Sequence, residues 1–164
     1  LGLHIRESGL KFDRILTSPL LRASITADVI ATFCEGPNPQ RAEGLIEREF
    51  GEMTGVPISE IEKRCAPDVL KTDTILYFLS PEGAETFDQL KARASEFLQS
   101  LSSDKSILLV THGDIGKMLY AAYYDLSWKD VLKNFHFGNG ELLLLSQEST
   151  PENTHVFSTD QHNL

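Results

Sequence analysis

Three short segments of this chain hold a base, a cation and an acid. The apolar run Ile107-Leu108-Leu109-Val110 leads directly into Thr111-His112-Gly113, and a helical pattern follows. A histidine at the carboxyl end of a buried strand, facing a helix N-terminus, stands where open α/β folds bind ligands. A lone strand-end histidine is most often an ordinary hydrogen-bonded residue; here its surroundings favour function. Gly113 permits close backbone approach, the first helical amides are available to an anion, and Asp114 fits a helix N-cap.

The segment Ser18-Pro19-Leu20-Leu21-Arg22-Ala23 puts an arginine in a helix's first turn, where the dipole disfavours cations. A planar, always-charged fork in that place is better explained by a phosphate or carboxylate than by helix stability. In Glu47-Arg48-Glu49-Phe50-Gly51-Glu52, Glu47 follows apolar Leu45-Ile46 and precedes a glycine turn, which points it into a cleft. A partly desolvated carboxyl can hold its proton near neutral pH and act as a general acid. Spacing alone does not separate Glu47 from Glu49.

The elements that must position these groups alternate between strand and helix. Helical spacing over Leu3–Lys11 gives way to a strand over Phe12–Thr17, and Leu20–Phe33 reads as a helix with Leu21, Ile25, Val29 and Ile30 inward. Gly36-Pro37-Asn38-Pro39 makes a loop, and a short helix after Pro57 carries Ile58, Ile61 and Cys65. The clearest helix covers Ala84–Leu101, with Phe87, Leu90, Ala94, Phe97 and Leu101 as its apolar stripe. A buried strand over Ser106–Thr111 and a helix over Ile115–Tyr124 follow. Ser127 with Asp130 suggests a capping box, and Glu141–Gln147 pairs with His155–Ser158. Residues 1–164 are read as one α/β domain, a three-layer α/β/α sandwich with a mostly parallel sheet and an antiparallel edge.

Composition narrows the function classes. At 164 residues, with 41% hydrophobic and 24% charged residues, the chain can bury a real core. A formal charge of −9 disfavours a nucleic-acid or acidic-membrane partner, though not a pocket for one phosphate. Cys34 and Cys65 are isolated, as suits a reducing cytoplasm. Apolar runs such as Leu142–Leu145 are too short to span a bilayer, and no signal peptide is visible. His4, His136, His155 and His162 lack metal-ligand spacing, so neither metal nor other cofactor is expected. Neither a nucleotide-binding Gly-x-x-x-x-Gly-Lys loop nor a Gly-x-Ser-x-Gly elbow is present.

Four blocks in register resemble the histidine phosphatase superfamily, the phosphoglycerate-mutase-like clan. They are LTSPLLRASITA (Leu16–Ala27), LIEREFGEMTG (Leu45–Gly55), PEGAETFDQLKAR (Pro81–Arg93) and LLVTHGDIGKML (Leu108–Leu119). The resemblance implies that Arg22 clamps phosphate, Glu47 donates the proton and His112 binds the transferred phosphoryl group. It further implies that Gly113 offers backbone to that phosphate and Arg48 faces the substrate. Asp114 departs from the small or amide residue usual there, and is expected to narrow the pocket or reject a second anion. Phe50 in place of the mutases' tyrosine, and a short segment between Glu47 and His112, favour phosphatase over mutase.

Family members open with a strand ending in Arg-His-Gly, whose histidine is the nucleophile. That motif is not among these residues: Leu1-Gly2 matches a region downstream of it, and His4-Ile5-Arg6 falls inside the first helix. The chain, beginning at Leu1 rather than methionine, is therefore expected to lack the first strand and to turn over negligibly. A catalytically dead phosphate-binding or scaffolding module is the competing reading. In either case the slot beside the buried strand is expected to be filled by another segment or chain, a homo-oligomer being one such outcome, or else the fragment is expected to be poorly soluble. The expected partner is a small phosphorylated substrate or phosphate.

Overall fold

The computed structural model describes residues 1–73 and 75–157; Ser158 and His162, named above, lie outside the described residues. Its centre is a three-stranded parallel sheet in the order β2-β1-β5, from β1 (Arg14–Thr17), β2 (Gln40–Arg41) and β5 (Ile107–Val110). β1 and β5 run in register from Arg14 beside Ile107 to Thr17 beside Val110. Their carboxyl ends therefore lie level, and Ser18 and His112 leave the sheet as neighbours. The Ser18 N–H continues the ladder to the Val110 carbonyl at 2.9 Å.

Side chains alternate across the sheet, as the pleat requires. Ile15, Leu108 and Val110 pack with Ile5 of α1 (Gly2–Glu7) and with Ala23, Ala27 and Ile30 of α2 (Leu21–Cys34). On the other face Leu16, Ile107 and Leu109 meet α4 (Phe87–Gln99), α5 (Gly113–Tyr123) and α6 (Trp128–Asn134). Helices on both faces of a parallel sheet make the expected three layers. Among the described residues no helix is long and apolar enough to cross a membrane.

α2 is phased differently from its expected stripe. It buries Ala23, Ser24, Ala27, Ile30 and Cys34, and leaves Leu21, Ile25 and Val29 exposed. The two alanines let the helix approach the sheet closely, so small residues rather than large ones define its inner face. The N-terminus of α4 rests on a reciprocal capping box between Thr86 and Gln89. The anticipated box at Ser127 is not formed: Ser127 is the N-cap of α6 but makes no side-chain capping bond.

Between β2 and α4 the chain makes a short 3-10 turn at Glu43–Leu45, another at Gly51–Met53, α3 (Ile58–Cys65), and the antiparallel hairpin of β3 (Val69–Lys71) and β4 (Leu76–Phe78). Gly51 holds φ +55°, and a Cβ there would lie 2.2 Å from the Glu82 carbonyl oxygen. Glycine lets this turn close against the segment before α4, bridging Phe50 to Ala84.

The C-terminal pair departs from its expected form. β6 is only Leu142–Leu143, paired antiparallel with β7 (His155–Phe157) as a separate ladder, not as an edge of the main sheet. The register shifts between Leu142 and Leu143, and the Ser146–Ser149 turn then captures the backbone with serine hydroxyls.

Candidate active site

A cavity of about 570 Å³ opens at the carboxyl ends of β1 and β5. Arg22, Glu47, His112, Gly113 and Lys117 line it together with Leu108–Val110 of β5 and Leu142 of β6. Among the described residues, the edge of β5 away from β1 carries no strand, so one wall of the cavity is an open strand edge.

His112 is the N-cap of α5, not Asp114; the helix begins at Gly113 and Asp114 lies within its first turn. Its ring bridges two elements. Nδ1 accepts a hydrogen bond from Arg22 Nε at 3.1 Å, and Nε2 lies 2.8 Å from Ser18 Oγ. An acceptor at Nδ1 places the ring proton on Nε2, donating to Ser18. Burial, with a smaller contribution from the Arg22 charge, holds His112 below the usual histidine range against the pull of Glu47. Arg22 is otherwise exposed and lines the cavity.

Glu47 occupies the N-terminus of α5. Its carboxylate oxygens accept the N–H groups of Arg48 at 2.9 Å, Ile115 at 3.2 Å and Asp114 at 3.4 Å. Two amides expected to be available to a ligand are thus taken by the protein's own acid. Glu47 is separated from Glu49 by this placement: Glu49 is exposed and bonds the Gly51 N–H, away from the cavity lining. The loop bearing Glu47 is clamped by Arg93, which donates to the Gly44 and Ile46 carbonyls while forked on Glu85, and by Thr111, which donates to the Leu45 carbonyl.

Arg48 lies in the interior rather than on the cavity. It is 3% exposed, donates to the Glu85 and Leu79 carbonyls, and packs on the Phe87 and Phe78 rings with centroids at 4.1 and 4.8 Å. Burial lowers it from the usual arginine value despite nearby Asp114 and Glu85. Asp114 turns toward it, 3.7 Å from Arg48 Nη1, and does not line the cavity as a narrowing wall. Burial, then the Glu47 charge, pushes Asp114 up to about 6.

Sequence reasoning passed over Lys117. It is 3% exposed, lines the cavity and donates to Tyr77 Oη at 2.8 Å; burial lowers it from the usual lysine value. Its spacing of four from Gly113 puts both on one helix face, a signal available beforehand. Gly116, between them, admits Phe137, whose ring would lie 2.2 Å from a Cβ there. That contact brings the Phe137–Glu141 loop over α5 as a cavity wall.

The chain belongs to the histidine phosphatase superfamily (branch 1), whose family model matches residues 2–157. It is 31% identical over 138 residues to a 2,3-bisphosphoglycerate-dependent phosphoglycerate mutase of Rhizobium etli, covering 80% of this chain and 66% of that protein. Thus it spans just under two thirds of that relative's length. Its fold is similar to that of a mycobacterial glucosyl-3-phosphoglycerate phosphatase, with TM-score 0.66 and 19% identity over 85% of this chain and 71% of that one. It is also similar to a phosphoserine phosphatase from Entamoeba histolytica, with TM-score 0.60 and 22% identity over the same shares.

Proposed function

We propose that these residues form the phosphate-receiving half of a phosphomonoesterase site that works through a phosphohistidine. The observation that carries this reading is the convergence of Arg22, His112 and Glu47 on one cavity mouth, from segments far apart in the chain. The Arg22 terminal amines hold equatorial phosphoryl oxygens, where negative charge gathers in a loose transition state, and the His112 Nε2–H joins them by exchanging its bond to Ser18 Oγ for one to the phosphate. Gly113 adds backbone beside them. The attacking imidazole comes from an extended segment lying along the open edge of β5, since His112 is the one histidine lining the cavity among the described residues.

In that scheme the attacking imidazole nitrogen bonds to phosphorus as the ester oxygen leaves, and Glu47 gives the leaving oxygen its proton. Glu47 then takes a proton from water, whose oxygen attacks phosphorus and releases phosphate from the imidazole. Hydrolysis is preferred to mutase chemistry because Phe50 packs against Phe78 and Arg48 is held inside, so neither offers the substrate a polar group. Resemblance to proteins acting on phosphoglycerate esters and phosphoserine supports a small phosphorylated substrate.

The test is calorimetric binding of inorganic phosphate and vanadate to the 164-residue chain. Both are expected to bind, and Arg22→Ala or His112→Ala to weaken that binding about tenfold or more, while p-nitrophenyl phosphate is turned over negligibly. Absence of phosphate binding, or turnover at enzyme-like rates by this chain alone, contradicts the proposal.

A further inference from the structure

The outer face of α2 carries an apolar ridge at the protein surface. Leu21, Ile25, Val29 and Phe33 follow one another at intervals of four and are 72, 51, 46 and 40% exposed. Residues spaced by four form one continuous ridge on a helix, here about 18 Å long. Phe33 also lies against Gly2 of α1, whose neighbour Leu3 is exposed, so the apolar surface continues onto that helix. The hydroxyls beside the ridge are already satisfied. Thr26 Oγ1 donates to the Arg22 carbonyl at 2.9 Å and Thr32 Oγ1 to the Asp28 carbonyl at 2.8 Å. Covering this face therefore leaves neither of those donors without a partner.

Charge and shape together point to the occupant. α1 and α2 hold Arg6, Arg22, Glu7 and Asp28, a neutral balance in a chain that carries −9. Two acidic copies can therefore meet across this layer without local repulsion. A lipid surface fits poorly, because helices that lie on membranes carry many basic residues on their polar face, and α2 has Arg22 alone. The ridge is also complementary to itself. Ridges of this spacing interdigitate when two helices cross at about −50°. Antiparallel placement about Ala27 then sets Leu21 of one copy beside Phe33 of the other, and Ile25 beside Val29. The two helix dipoles are opposed in that arrangement, which adds a favourable contribution. We infer that the α2 ridge is the self-association face of this protein, joining two copies about a two-fold axis beside Ala27.

Sedimentation velocity of the 164-residue chain at rising concentration tests this. A species of twice the monomer mass is expected, with a Kd on the order of 10 µM, as suits an interface at the small end of the range. Ile25→Glu and Val29→Glu each put an acid into the apolar contact and should raise that Kd about tenfold or more. Thermal unfolding should stay unchanged in both, because the two positions are exposed in the single chain. Position 25 of one copy faces position 29 of the other, so Ile25→Lys combined with Val29→Glu should dimerise more tightly than Val29→Glu alone. Ile58→Glu, at an exposed apolar residue of α3, is the control and should leave the Kd as it was. A wild-type chain that stays monomeric to about 300 µM overturns the inference. A dimer that survives both glutamate variants overturns it too, and places the contact elsewhere, as at the open edge of β5. A double variant no tighter than Val29→Glu overturns the antiparallel pairing.

Discussion

Arg22 Nε donates to His112 Nδ1 at 3.1 Å, joining the first turn of α2 to the N-cap of α5 across 90 positions of sequence. The bond fixes the imidazole tautomer and keeps the arginine's terminal amines at the cavity mouth. It also explains why a cation stands in a helix turn whose dipole opposes it.

Removing that arginine should therefore change two observables at once. In Arg22→Ala the His112 pKa rises, because a repelling positive charge is gone, yet stays below the usual histidine value because burial is the larger cause. Phosphate affinity falls about tenfold or more, as expected for losing a charge-assisted contact. The folded pKa of His112 is depressed, so its contribution to stability is complete above the unfolded value and shrinks as pH falls below it. An NMR titration of the imidazole beside phosphate calorimetry checks both; an unmoved His112 pKa contradicts the pairing.

Asp114 gives a pH signature of opposite sense. Its folded pKa of about 6 exceeds the ordinary 3.8, so the folded state holds the proton more tightly than the unfolded one. Ionising it costs stability as pH rises from about 4 through 6, up to roughly 3 kcal/mol for a shift of that size. Asp114→Asn is thus expected to gain stability relative to wild type between pH 4 and 7.5. Denaturant unfolding at the two pH values measures it, and a gap that narrows with rising pH contradicts the assignment.

Much of this arrangement was legible before the structure. Periodicity marked β1, α2, α4, β5 and α5, because these elements carry enough buried apolar residues to print a pattern. Arg22, Glu47 and His112 were legible because each sits at an element end whose local rule it breaks or exploits. The β3–β4 hairpin was not, since two three-residue strands leave too short a pattern. α2 was misphased because Ala23 and Ala27 carry little hydrophobic signal, although their small size is what admits close packing. Lys117 drew no reading, because its hydrogen-bond partner inside the protein, Tyr77, lies 40 positions away. Arg93 was likewise silent, since its work is on carbonyls of another segment.

Arg48 separates a structural from a substrate-facing role. Its guanidinium bonds two carbonyls and stacks on two rings inside the protein, and lysine cannot reproduce that fork. Arg48→Lys is expected to cost about 3 kcal/mol, the low end for breaking a buried charged network. Phosphate affinity per folded molecule should change little. Chemical denaturation and calorimetry on the same sample distinguish the roles, and a stable variant with lost phosphate binding places Arg48 on the ligand instead.

Gly51 tests whether the loop bearing Glu47 is held in place by the turn behind it. At φ +55° a Cβ would meet the Glu82 carbonyl oxygen at 2.2 Å and the Ala84 nitrogen at 2.5 Å, both backbone atoms that cannot rotate away. Gly51→Ala must push the turn off the segment before α4 and break the Phe50–Ala84 bridge. Left-handed strain of about 1 kcal/mol adds to the steric displacement, so a loss of roughly 2–4 kcal/mol is expected. Because Glu85 N–H bonds the Glu49 carbonyl beside this bridge, the displacement reaches the Glu47 loop. Amide exchange should then quicken at Ile115, whose N–H Glu47 caps, and unchanged protection there would show the loop to be anchored by Arg93 and Thr111 alone.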